Sequence, residues 1–263
     1  MKRLALAFYL ALSFLTRLRL STFEKKIHFP LPSAELRHSV IFYPLVGWIL
    51  GGLNYLLAVG LRSWNVKGEF IALSILALSY FLTGFLHWDG LIDVSDAFFS
   101  NRSRDDRLKI LKDPHVGSFA LGIGTIYLLA RFFLTKEFIE HAPLLPLLIA
   151  IPTFSRGAAV LLSAISSYPR TEGTGQFLIG KISLKLSLAT IFSAGLLVAV
   201  TLGIFQNLEK IIIIAVFVVY LLGSHLAIRQ LSISKIGGVT GDVLGCAIEI
   251  SELGMLALAC AFA

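Results

Sequence analysis

The sequence predicts an all-α, polytopic integral membrane protein, a bundle of about seven transmembrane helices with a short helix at its N-terminus. Hydrophobic residues make up 56% of the 263 residues, above the roughly 45–50% that is usual for soluble proteins. They are gathered in runs of about twenty, the length that a helix needs to cross a bilayer. The runs are continuous rather than alternating, which favours helices over the strands of a membrane barrel.

Seven apolar segments have the length of membrane spans. They are Val40–Leu61, Phe70–Leu86, Ser118–Leu134, Leu144–Ile165, Ser183–Phe205, Ile211–Ile228 and Val243–Phe262. A further apolar segment, Leu4–Leu15, is too short to span, so we expect it to lie at the interface or to re-enter the membrane. No repeat or soluble domain interrupts the pattern, and residues 1–263 are expected to form a single membrane-embedded domain.

Positive charge is concentrated in the long connections between these segments, around residues 16–39, 87–117, 166–182 and 229–242. Because basic loops stay in the cytoplasm, the pattern predicts a multi-pass protein of the cell membrane whose motif-bearing loops, and hence the active site, face the cytoplasm. The formal net charge of +7 is then explained by helix orientation and contact with anionic membrane lipid, not by nucleic-acid binding. Two cysteines give no disulfide framework and no metal-ligand spacing.

Three carboxylates, Asp89, Asp93 and Asp96, follow the second span at offsets that return to one face of a helix. Clustered negative charges are unfavourable unless a cation joins them, and carboxylate oxygens suit Mg²⁺. The sequence therefore predicts a Mg²⁺ site with catalytic carboxylates, against the alternative of a solvated acidic helix end. His87 beside them is a candidate ligand or base, although histidines at an interface are often structural.

The next connection contains the candidate phosphate-binding residues Arg104 and Lys112. The same basic residues also set the topology, whatever else they do. Asp113 precedes a proline at the start of the third span, and two interpretations stay open for it. It is either a further ligand at the site or the N-cap of the following helix.

Arg156 lies inside the fourth span, where a charge costs about 2.5–3.5 kcal/mol on insertion scales. We therefore expect it to pair inside the bundle, with a carboxylate of the aspartate cluster or with a substrate phosphate. Arg131 lies near the outer end of its helix and is expected to extend its head group to the interface.

A glycine-rich turn precedes the last span, and its main-chain N–H groups at a helix start would suit an anion. The acidic residues that follow share one helical face and are expected to be functional or paired with Arg156 or His225. The candidate substrate-binding residues of this region are Gly238, Thr240, Asp242, Glu249 and Glu252.

Six motifs follow one another along the chain: Phe14–Leu18, Tyr43–Gly47, Leu82–Asp96, Leu111–Phe119, Ser155–Arg156 and Gly237–Gly245. In this order they resemble the cobalamin synthase family, the adenosylcobinamide-GDP ribazoletransferases. The third motif of that family reads Leu-Thr-Gly-Gly-Leu-His-Leu-Asp-Gly-Leu-Ala-Asp-Thr-Ala-Asp. The chain departs from the family pattern where Phe85 and Trp88 replace smaller residues and where Pro114 and His115 replace Ser-Arg.

The resemblance implies a Mg²⁺-dependent enzyme that transfers the adenosylcobinamide-phosphate moiety of adenosylcobinamide-GDP to α-ribazole, or to its 5′-phosphate. GMP is released, and the product is adenosylcobalamin or its 5′-phosphate, a late step of cobalamin biosynthesis. The aspartates would hold Mg²⁺ on the pyrophosphate, and Arg104, Lys112 and Arg156 would bind phosphate oxygens. The expected partners are this corrinoid nucleotide, α-ribazole and membrane lipid, and the oligomeric state is left open.

Two other functions use similar residues but fit the sequence less well. A CDP-alcohol phosphotransferase also sets aspartates around Mg²⁺ at a membrane face, but its aspartate pattern is absent here. A secondary transporter would use Arg156, Glu249 and Glu252 as an ion path, but the chain lacks paired broken helices in repeated halves.

Overall fold

The structure is a computed structural model that describes residues 2–18, 33–203 and 208–262. Within these ranges the regular elements are helices, and no residue belongs to a β-strand. Residues 19–32 of the first basic connection lie outside the described residues, as does Phe205, the predicted end of the fifth span.

The helices of the described residues are numbered here in chain order. They are α1 (Lys2–Leu15), α2 (Ser33–Ser39), α3 (Tyr43–Ser63), α4 (Gly68–Thr83), α5 (Leu86–Phe99), α6 (Arg104–Ile110), α7 (Ser118–Glu140), α8 (Leu147–Ala164), α9 (Leu184–Leu202), α10 (Leu208–Ile236) and α11 (Gly241–Ala261).

The predicted membrane bundle is confirmed. Within the described residues, six helical stretches are long and apolar enough to cross a bilayer, and they contain α3, α7, α8, α9, α10 and α11. The remaining predicted span is broken, because α4 and α5 pass this test only as a pair and are bent by 89°. The N-terminal apolar helix, Arg3–Leu15, falls short of a spanning length, as the sequence predicts.

Helix α8 lies at the centre of the bundle, since 83% of the residues in its most apolar 18-residue stretch are buried. Two glycines bring α3 into backbone contact with it. A Cβ atom at Gly51 would lie 2.5 Å from the Leu148 carbonyl oxygen, and one at Gly47 would overlap the Pro152 carbonyl. Small residues are the usual means of close helix packing in membranes, where no hydrophobic force favours helix association.

Three of the long connections meet at one end of the bundle. The Arg170 guanidinium donates to the Leu108 carbonyl at 3.1 Å, and the Val239 N–H donates to the Ser167 carbonyl at 2.9 Å. The connections that follow α5, α8 and α10 are thereby joined. The motifs of these connections, which are far apart in sequence, consequently share one end of the molecule.

Candidate active site

The sharp turn between α4 and α5 sets the direction of the helix that carries the aspartates. Gly84 and Phe85 both adopt left-handed backbone conformations, with φ of 62° and 61°. The Phe85 ring stacks on Tyr80 with 5.2 Å between ring centroids. Because α5 leaves this turn at 89° to α4, it runs across the end of the bundle rather than along it.

Four carboxylates crowd together where α5 meets the start of α11. Asp93 is half-buried and interacts electrostatically with Asp89, Asp96 and Asp242. The close approach of the two helices depends on Gly90, where a Cβ atom would lie 2.5 Å from the Asp242 carbonyl oxygen. The sequence does not reveal this contact, which adds the Asp242 carboxylate to those of α5 and makes the site strongly negative.

Asp96 differs from the other two aspartates of α5 because the protein occupies both of its oxygens. Oδ2 accepts from the Gly117 N–H at 2.6 Å, and Oδ1 accepts from the Ala120 N–H at 2.9 Å. These N–H groups belong to the first turn of α7, which has no side-chain cap of its own. Asp96 thus caps α7 from a neighbouring helix and stabilises its positive N-terminal end.

The carboxylates of Asp89 and Asp93 form no hydrogen bond or ion pair with another residue of the described ranges. Among the described residues, no group of three or more His, Cys, Asp or Glu side chains is arranged to hold a metal ion. The protein alone therefore does not assemble the predicted three-aspartate site. Two carboxylates still fit Mg²⁺, which is commonly held by one or two carboxylates together with substrate phosphates and water.

The predicted phosphate ligands of the α5–α7 connection have separate environments. Arg104 donates through Nε to the Ile236 carbonyl at 3.0 Å, at the C-terminus of α10. Lys112 is exposed and forms no ion pair with any residue that the structure describes.

Asp113 does not cap α7, because Gly117 holds the N-cap position. Its Oδ1 accepts from the His115 main-chain N–H at 3.0 Å and lies 2.6 Å from the His115 ring nitrogen Nδ1. These bonds hold the pKa of the exposed Asp113 carboxyl below its ordinary value. Of the two interpretations offered for Asp113, the N-cap is wrong.

The glycine-rich turn before α11 is held in place by the protein. The Gly238 carbonyl accepts from Ser232 Oγ at 2.5 Å, and a Cβ atom at Gly238 would overlap the Ser167 carbonyl. Thr240 is fully buried and caps α11, accepting from the Val243 N–H at 3.4 Å and donating to Asp242 at 3.1 Å. Gly238 and Thr240 consequently position Asp242 at the helix start.

One cation next to the carboxylates was not among the predicted site residues. Arg170 Nη1 lies 3.9 Å from Asp242 Oδ2, and the arginine side chain is only 13% exposed. The sequence around it, Arg170–Phe177, is rich in glycine and polar residues and is typical of a flexible loop. Its signal was weak because an arginine in a basic connection is explained by topology alone.

The charged residues of the membrane interior form a compact network. Arg156 pairs with Glu252, and Arg131 lies 3.1 Å from Glu249 and 2.5 Å from Glu252. The expectation that Arg156 pairs inside the bundle is confirmed, but its partner in the structure is Glu252 and not the aspartate cluster. The prediction for Arg131 is wrong, since its side chain is 13% exposed and faces the glutamates instead of the interface.

A cleft of about 1200 Å³, including its open mouth, lies beside the aspartates. Asp89 and Asp242 belong to its lining, as does the buried imidazole of His87, whose Nε2 has no hydrogen-bond partner in the described part of the chain. The remaining walls are largely apolar and come mainly from α1, α3, α8, α11 and the connection between α8 and α9. The cleft therefore offers carboxylates and an apolar surface to the same ligand.

Comparison with known proteins decides the family. Residues 7–260 match the model of a family described as cobalamin-5-phosphate synthase. The chain belongs to this family. Similar proteins from Shigella boydii serotype 4 and Escherichia coli O17:K52:H18 are named adenosylcobinamide-GDP ribazoletransferase, and each is 34% identical over 251 residues, 95% of this chain and 97% of the relative. No solved structure matches the chain.

Membership of the cobalamin-5-phosphate synthase family makes this chain an enzyme of late cobalamin synthesis. The resemblance stated from the six motifs is thereby confirmed over nearly the whole length. The individual site residues stay predictions, which the geometry above arranges into two groups. Asp89, Asp242 and His87 line the cleft, with Asp93 close to the two aspartates, whereas Arg156, Glu249 and Glu252 form ion pairs in a network that includes Arg131.

Proposed function

We propose that this chain transfers the adenosylcobinamide-phosphate moiety of adenosylcobinamide-GDP to α-ribazole, or to its 5′-phosphate, and releases GMP. The names of the relatives support this choice of substrates. The structural observation that carries it is the pair of unpartnered carboxylates, Asp89 and Asp93, where α5 borders a cleft with apolar walls. Such a cleft suits a substrate that joins a pyrophosphate to a large, partly apolar organic group.

The reaction forms one bond at phosphorus and breaks another. A ribose hydroxyl oxygen of α-ribazole bonds to the phosphorus next to cobinamide, and the bond from that phosphorus to the GMP oxygen breaks. The hydroxyl proton passes to a carboxylate of the cleft, for which Asp242 is the candidate by position.

Asp89 and Asp93 are the residues that would hold Mg²⁺. A Mg²⁺ held there would supply positive charge to the pyrophosphate and to the departing GMP. Lys112, which has no ion-pair partner among the described residues, is free to bind a phosphate oxygen. Arg170 lies next to Asp242 and restrains that carboxylate beside the site.

We also propose that this end of the bundle faces the cytoplasm. Lys and Arg are concentrated in the connections that meet here, and basic connections remain on the cytoplasmic side. Labelling of single cysteines in the α5–α7 connection of sealed inverted vesicles tests the orientation.

The decisive experiment uses the purified chain in detergent with adenosylcobinamide-GDP, α-ribazole and Mg²⁺. We expect GMP and a cobalamin in equal amounts, no GMP without α-ribazole, and loss of the reaction on chelation of the metal. Asp93→Asn should lower kcat at least a hundredfold in protein that inserts and melts normally. Turnover that is unaffected by chelation would exclude the metal role, and no cobalamin from correctly folded protein would exclude the proposed transfer.

A further inference from the structure

Two buried polar groups of the cleft wall lack partners. Ser163, near the end of α8, is 3% exposed, and His87, at the start of α5, is 4% exposed. Both line the cleft, and neither Ser163 Oγ nor His87 Nε2 has a hydrogen-bond partner among the described residues. Buried polar groups without partners are rare because each costs free energy, so a pair of them in one cleft points to a ligand.

The surroundings of this pair are apolar. Val40, Tyr43, Val160, Ile179 and Ile248 line the same cleft from four different parts of the fold. Asp89 and Asp242 are the charged residues in the lining of this cleft, as far as the structure describes it. The ligand group that fits beside Ser163 and His87 is consequently apolar, with few hydrogen-bonding atoms.

We infer that this apolar part of the cleft binds the base of the acceptor nucleoside, with Ser163 donating a hydrogen bond to its ring nitrogen. The inference rests on the proposed function, since it assigns one substrate of that reaction to one part of the cleft. The base of α-ribazole is a dimethylbenzimidazole, which is apolar except for one unsubstituted ring nitrogen, a hydrogen-bond acceptor. Ser163 supplies the donor, and His87 is left for a ribose hydroxyl.

The other organic groups of the reaction suit this surface less well. Guanine carries several donors and acceptors along its edge, and two protein groups would leave most of them unpaired. The corrin ring carries amide arms around its rim, which apolar side chains would also leave unpaired. Both belong on the polar side of the site, where Asp89, Asp242 and the basic connections lie.

The chain contains a matched control for Ser163. Ser166 follows three residues later, is 6% exposed, and also has an Oγ without a hydrogen-bond partner among the described residues. It does not belong to the lining of the cleft. Replacement of either serine by alanine removes the same atom from a similarly buried position, so only the location differs.

The test measures binding of α-ribazole to the purified full chain by equilibrium dialysis. We expect Ser163→Ala to weaken binding about threefold to tenfold, the value of one neutral hydrogen bond, and Ser166→Ala to leave it unchanged. An indole riboside, which has a C–H in place of the ring nitrogen, should bind Ser163→Ala and the parent chain equally. Melting temperatures of both variants verify that they fold.

A second variant tests the location independently of the hydrogen bond. Val160→Phe fills the apolar part of the cleft and should weaken α-ribazole binding more than that of the smaller imidazole riboside. Unchanged α-ribazole binding in both Ser163→Ala and Val160→Phe would overturn the inference, as would an equal loss in Ser166→Ala. If the parent chain releases GMP but these variants change only the KM for adenosylcobinamide-GDP, the assignment fails while the proposed function stands.

Discussion

Arg156 donates a hydrogen bond to Glu252 in the interior of the bundle, where less than a tenth of either side chain is exposed. Glu252 also forms an ion pair with Arg131, and Arg131 forms a second ion pair with Glu249. The positive charges of two arginines are thereby matched by the negative charges of two glutamates. Glu252→Gln leaves this group with one unpaired positive charge. We expect a loss of about 3–5 kcal/mol, typical for breaking a buried pair from one side, measured by thermal unfolding in detergent.

The double variant Arg156→Gln, Glu252→Gln restores the balance between Arg131 and Glu249. It should therefore be more stable than Glu252→Gln alone, which a double-mutant cycle measures. Because these residues bind one another, we expect the variants that fold to keep the parent KM for both substrates. A parent-like melting temperature with a raised KM in Glu252→Gln would instead assign this glutamate to substrate.

Replacement of the three aspartates of α5 should have different effects on the Mg²⁺ dependence of activity. Asp89→Asn and Asp93→Asn remove unpartnered carboxylates and should raise the Mg²⁺ concentration needed for half-maximal activity at least tenfold. Asp96→Asn should leave that concentration unchanged and lower thermal stability by about 1 kcal/mol, the usual value of a helix cap, because Asp96 accepts from Gly117 and Ala120. If Asp96→Asn raised the required Mg²⁺ concentration as much as Asp89→Asn and Asp93→Asn do, Asp96 would be a metal ligand.

The close packing of α5 on α11 predicts that position 90 requires glycine. Gly90→Ala would place its Cβ 2.5 Å from the Asp242 carbonyl oxygen, so the helices must move apart and displace the carboxylates. We expect activity to fall at least tenfold. Gly52→Ala in α3 is the control, since a Cβ there meets no atom within 4 Å and alanine is the better helix former. Equal activity of the two variants would show that the close contact is dispensable.

Phe85 holds a left-handed conformation, φ 61°, which costs a residue with a Cβ roughly 1–2 kcal/mol. The motif that this chain resembles has glycine at this position. Phe85→Gly and Phe85→Ala both lose the stacking on Tyr80, but only alanine keeps the strain. Phe85→Gly should therefore melt higher than Phe85→Ala, and the reverse order would mean that the turn is not left-handed in solution.

Apolar runs and basic connections were enough to predict the spans, because hydrophobic length alone determines which helices cross a bilayer. The same sequence could not reveal that the second span breaks at Gly84 and Phe85. In a sequence, Phe85 reads as one more apolar residue of the run. Only the geometry of the turn shows that the aspartates lie on a separate helix.

The partners of charged residues were harder to predict than their positions. The depth of Arg131 in the membrane can be counted from the sequence, and this depth predicts a position near the interface. The sequence does not show which face of a helix points toward Glu249 and Glu252. Asp96 and Asp93 look alike in the motif, yet the first turn of α7 uses only Asp96. Arg170 could not be predicted as a site residue for a related reason, since its contact with Asp242 joins parts of the chain that are distant in sequence.

Helix α5 is fixed at both ends, at its start by the turn after α4 and at its end by the bonds from Asp96 to α7. The positions of the carboxylates on α5 are therefore fixed by the backbone of the fold. The apolar walls of the cleft consist of side chains such as Val160 and Ile248, which are not involved in these contacts. Exchanges in the walls can alter which base is accepted without moving the carboxylates. Under the inference that the apolar walls bind the acceptor base, related chains with different wall residues would accept different bases and retain the same phosphoryl chemistry.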